Sequence, residues 1–167
     1  MIKIIGATST FLAGIFAGRM LINRRKRSLD FLVQYMEFIL ILKNEMRYTA
    51  RPISEILGSI KVGDELVNCV QKCRQMLTKI SFERAWFCAF SHIEANLKVP
   101  EDILQSIKKF GAELGSCDVK GQMDICAGHI NFINMQIEKL RLESKKRENL
   151  PVIIGGSVGL AAALVLI

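Results

Sequence analysis

Proline is scarce in this chain, with three residues in 167: Pro52, Pro100 and Pro151. No window alternates apolar and polar residues at period two for long enough to make a convincing strand, which argues against a β-sheet. Each proline stands where a helix would begin, a position that tolerates its missing N–H. Recognisable catalytic signatures are also lacking. No Gly-Lys phosphate loop occurs, so the chain is not itself a P-loop ATPase. A His-Glu-x-x-His pair, a Gly-x-Ser-x-Gly elbow and a dinucleotide fingerprint are absent as well. The five cysteines are an odd number, which argues against a closed disulfide framework. In a reducing cytosol they are expected as free thiols. The carboxylate pairs Asp64/Glu65 and Glu101/Asp102 sit at expected helix starts, where they complement the helix dipole.

What is plentiful is positive charge, and it is unevenly placed. The formal net charge is +7. Residues 28–138 hold 12 Lys or Arg against 14 Asp or Glu, whereas the remaining residues hold 11 against 2. Lys3 apart, the excess forms two blocks: Arg19, Arg24, Arg25, Lys26 and Arg27, and Lys139, Arg141, Lys145, Lys146 and Arg147. Each block borders an uncharged apolar stretch, residues 4–18 and 150–167. If Arg19 snorkels, the first stretch extends to Ile22. Crossing a bilayer takes about 20 apolar residues, with about 17 to 25 observed, so both stretches are expected to span. Charge immediately after residues 4–22 resists translocation, which favours an uncleaved anchor over a signal peptide.

Lys and Arg are retained on the cytoplasmic side. Arg24, Arg25, Lys26, Arg27, Lys145, Lys146 and Arg147 therefore read as topology determinants. The expected organisation is an N-terminal anchor at 1–22, a cytosolic domain at 23–149 and a C-terminal anchor at 150–167, in the cell membrane. The basic side chains would touch anionic headgroups of the lipid bilayer. Nucleic acid is not an expected partner, because the near-neutral middle offers no phosphate-tracking surface.

The fold class is all-α, a helical bundle of about six helices between two transmembrane helices. The first cytosolic helix is expected over residues 28–48, with Leu29, Leu32, Val33, Met36 and Leu40 on one face. Phe31, Tyr35, Phe38 and Leu42 form its other face. A short helix follows Pro52 and ends at Gly58. Another spans residues 64–79, with Leu66, Val70, Cys73 and Leu77 inward. Ser81 is placed to cap an aromatic helix in which Trp86 and Phe87 are expected as core anchors. Pro100 opens a helix whose inner face is Ile103, Ile107, Phe110 and Leu114. The longest helix is expected over 118–148. Its Met123, Cys126, Ile130, Ile133, Ile137 and Leu140 recur at alternating three and four, a seam suited to packing along a neighbour.

Two constellations invite function. Cys69 with Cys73 and Cys126 with His129 are helical pairs, and on facing helices they could supply zinc ligands. The alternative function is therefore a membrane-bound regulator sensing zinc or redox state. Buried apolar cysteine is the commoner role, so no metal, cofactor or catalytic residue is assigned. Gly14-x-x-x-Gly18 and Gly155-x-x-x-Gly159 would let apolar helices approach closely. Glu37, Glu45, Glu55 and Glu113 are candidate docking acids.

The stretches "ILKNEMRYTARPISEIL" (41–57) and "FGAELGSCDVKGQ" (110–122) resemble patterns of the stage III sporulation protein AB family, which is similar to the F-type platform domain of type II secretion and type IV pilus systems. Thr49, Arg51 and Cys117 stand where that pattern usually has Gly, Thr and Ser. The resemblance implies a non-enzymatic platform of a channel joining mother cell and forespore, set in the mother-cell membrane around the forespore. It implies a cytosolic ATPase, stage III sporulation protein AA-like, and other membrane channel subunits as partners. A homo-oligomer is compatible with it.

Overall fold

The computed structural model describes residues 2–49, 51–61, 63–91, 93, 97, 99–114, 118–147 and 157. Among them are six helices and no strand: α1 (Ile2–Thr49), α2 (Ile53–Ser59), α3 (Asp64–Met76), α4 (Phe82–Ser91), α5 (Glu101–Leu114) and α6 (Val119–Arg147). The chain divides into two compact units, one of residues 28–139 and one of residues 1–27 with 140–167.

The helix starts follow local chemistry. Pro52, at φ −63° and ψ 146°, leads into α2, and its carbonyl accepts from the N–H groups of Glu55 and Ile56. Gly63 precedes α3 in extended conformation and accepts from Leu66 and Val67. The carbonyls of Ser81 and Pro100 accept from Ala85 and Leu104 at the starts of α4 and α5. At the start of α6, Asp118 accepts from the Gly121 N–H on Oδ1 at 3.0 Å and from Gln122 on its carbonyl. This satisfies donors that a helix terminus otherwise leaves orphaned.

Three expectations are corrected. The first helix does not begin at residue 28. It is continuous from Ile2, because Arg and Lys are good helix formers and no Pro or Gly interrupts 19–28. On one of the two faces expected on it, Phe31, Tyr35, Phe38 and Leu42 are buried; on the other, Leu32 is buried, Leu29, Val33 and Met36 are half-buried and Leu40 is 48% exposed. Phe87 is not a core anchor, being 51% exposed. One residue is about 100° around a helix. Burying Ala85, Trp86, Ala89 and Phe90 therefore turns Phe87 outward. Among the described residues no helix is long and apolar enough to cross a membrane. The expected second anchor lies outside the described residues except for Ser157, and so do Gly155 and Gly159. For residues 4–15 the helical backbone alone is described.

The core of the larger unit is aromatic and centred on Trp86. Its ring lies 4.4 Å from that of Phe90, 5.5 Å from Phe110 and 6.1 Å from Phe38, measured between centroids. The indole N–H donates to the Ile107 carbonyl at 2.8 Å, which pairs this buried donor. Trp86 lies directly on α5 because Gly111 presents no side chain there. A Cβ at Gly111 would fall 2.5 Å from the indole Cγ and Cδ1.

Gly111→Ala should therefore destabilise the domain. The gain in helix propensity, about 1 kcal/mol, is opposed by overpacking of about 1–3 kcal/mol, and the fully buried indole has nowhere to retreat. A lowered urea midpoint is the expected result. A raised midpoint would mean that α4 and α5 can separate freely at this crossing.

Candidate functional site

Inside the larger unit, one polar link joins distant parts of the chain. The Tyr35 hydroxyl of α1 and the His129 Nε2 of α6 are 2.9 Å apart, and both residues are buried. His129 stacks on Phe110 at 4.5 Å and meets Tyr35 edge to face at 5.6 Å. Burial, the dominant cause, pushes the His129 pKa down to about 4, partly offset by Glu113. Burial also holds the Tyr35 pKa well above its ordinary value, with Cys126 adding to the rise. At neutral pH the imidazole is uncharged and the phenol keeps its proton. One hydrogen bond therefore joins the two neutral groups, its direction set by which imidazole nitrogen carries the proton.

The Cys/His pairs lie in and beside the packed core. Among the described residues, no group of three or more His, Cys, Asp or Glu could hold a metal ion. Cys73 and Cys126 are buried and Cys69 is half-buried. Burial pushes the Cys69 thiol up to about 11, with Lys72 opposing the rise. The Cys73 and Cys126 thiols are pushed up to about 12, chiefly by burial. Such groups stay protonated near pH 7 and are poor nucleophiles.

Along α6, Cys126, Ile133 and Ile137 are buried, while Met123, Ile130 and Leu140 are half-buried. Arg25, Lys26, Arg27 and Lys145 are exposed. The side chains of Arg24, Lys146 and Arg147 lie outside what the structure describes. Glu37 and Glu55 are exposed. Glu45 bridges to Arg51 at 2.9 Å and Glu113 to Lys109 at 3.2 Å.

The surface of the larger unit carries a groove of about 840 Å³ where α4, α5 and α6 meet. Its apolar lining includes Ile80, Phe87, Ala112 and Phe132. Three acids, Glu83, Asp102 and Glu113, and three bases, Arg84, Lys108 and Lys109, also line it. Lys108 is only 9% exposed, and its ammonium lies 5.8 Å from the Phe87 ring centre. Of the candidate docking acids, Glu113 lines this groove and Glu37, Glu45 and Glu55 do not; the other motifs and spacings of the sequence do not point to it. One signal is nevertheless present in α4: Phe87 is out of step with the Trp86–Phe90 spacing, so it cannot share their face.

These features define an all-α bundle protein with a polar link in its core and an open groove on its surface. The family model of stage III sporulation protein AB matches residues 3–167. The chain belongs to that family and is accordingly a sporulation protein. No curated protein and no solved structure gives a significant match.

Proposed function

We propose that the chain is a non-enzymatic membrane platform of the channel complex joining mother cell and forespore. Residues 1–22 and 150–167 anchor it, and residues 23–149 face the cytosol. The helical domain docks a stage III sporulation protein AA-like ATPase, and the anchors hold other channel subunits. The observation that carries this reading is the charge asymmetry: 11 of the 23 Lys and Arg residues lie outside 28–138, with only 2 of the 16 acids. Membership of the sporulation family supplies the biological setting.

The orientation is tested by reporters. A reporter active only in the cytosol should work when inserted near Gly63 and fail when fused after Ile167. The reverse pattern would refute the charge argument. Changing Arg24, Arg25, Lys26 and Arg27 together to Glu should disturb insertion, and an unchanged orientation would show that other features dominate. For the docking arm, the ATPase should co-purify with the chain from detergent-solubilised membranes. Recovery of each alone, under conditions that keep both folded, would remove that arm.

A further inference from the structure

We propose that the groove between α4 and α5 is a self-association surface, closed by a second copy of this chain about a twofold axis. An isologous interface must be complementary to itself, because the same patch is presented from both sides. A patch of one sign would repel its own copy. This groove carries three acids and three bases, so each charge can meet its opposite on a second copy. Along α5 the groove charges run acid, base, acid: Asp102 near its start, Lys108 and Lys109 just past its middle and Glu113 near its end.

Asp102, Gln105 and Lys109 are all exposed, and their spacing of three and four puts them on one helical face. Two copies of α5 laid antiparallel, with the axis between Gln105 and Ser106, set Asp102 of each copy opposite Lys109 of the other. The two helix dipoles then also oppose one another. Lys109 already pairs with Glu113 in its own helix, so the incoming Asp102 completes an alternating acid–base–acid row.

The same closure gives Phe87 a cover. It is one of the exposed large apolar residues, and it lies in the groove beside Ala112 and Phe132. An exposed ring within an apolar depression is the usual centre of an interface, with charged groups forming the rim. The proposal does not depend on the ATPase or on membrane topology.

The test is the oligomeric state of the full chain in detergent micelles, measured by light scattering across a dilution series. The parent should dimerise. Asp102→Lys and Lys109→Asp should each raise the dimer dissociation constant at least tenfold. The double swap, Asp102→Lys with Lys109→Asp, should return it toward the parent value. Phe87→Ser should weaken the dimer with the helical circular dichroism unchanged, while Glu55→Lys, outside the groove, should leave it intact. A monomeric parent at all concentrations would overturn the proposal. So would a dimer indifferent to Phe87→Ser and both charge reversals, or a double swap that fails to recover what the single changes lost.

Discussion

Trp86→Ala is expected to cost about 3–5 kcal/mol, the range for truncating a buried large aromatic residue. The upper half is the better expectation, because several contributions fall together. The indole is fully buried and in ring contact with Phe38, Phe82, Phe90 and Phe110. Its hydrogen bond to the Ile107 carbonyl is lost, and the α5 backbone at Gly111 faces the vacated space. Because the indole sits between α4 and α5, collapse of the cavity would require those helices to move. A small domain has about 5–15 kcal/mol of stability in total, so Trp86→Ala should bring the unit of residues 28–139 toward the edge of unfolding at 37 °C. Urea titration checks this. A loss below about 1 kcal/mol would show that the aromatic centre does not hold α4 and α5 together.

The second large effect is with pH. His129 titrates near 6.5 when exposed and at about 4 in the folded protein. Above pH 6.5 both states are neutral at this position and stability does not change with pH through it. As pH falls from 6.5 toward 4, the unfolded chain takes up a proton that the folded chain refuses, so stability declines, and below about 4 the loss is complete. The full span corresponds to at most about 3 kcal/mol. Carboxylates add their own dependence at the acid end. The readout is therefore the difference between the parent and His129→Gln in urea titrations from pH 7.5 to 4. The parent should lose more stability over this window. Parallel curves would mean that His129 takes up its proton as readily in the fold as in the unfolded chain, so that burial does not hold it neutral.

Much of the fold is legible in the sequence because helix formation is local. The scarcity of proline, the position of each proline and the three-and-four spacing in α5 are properties of short windows. The inner face that this spacing predicts for α5, Ile103, Ile107, Phe110 and Leu114, is buried. The start of α6 at Asp118 follows from the same kind of signal. The continuous α1 is less legible, since a basic run marks a change of surroundings without altering the backbone preference of its residues.

The candidate site is far less legible. Local spacing shows that α1 has two apolar faces, but not how far along each the cover extends. Phe38 went inside and Leu40 was left 48% exposed, because the aromatic face of α1 met Trp86. Whether Phe87 is a core residue or a groove residue depends likewise on which turn of α4 meets α5. The pairing of Tyr35 with His129 joins residues 94 positions apart, beyond the reach of any window of sequence.

By itself, then, the amino-acid sequence determined the helical class, the starts of α2 to α6, the segregation of charge and the family, because propensity, capping and composition act within a few residues. Tertiary structure alone decided which apolar faces are buried, where the groove opens and which buried polar groups find partners. Those outcomes depend on packing between helices distant in sequence, and each burial is favourable only once the opposing surface is in place.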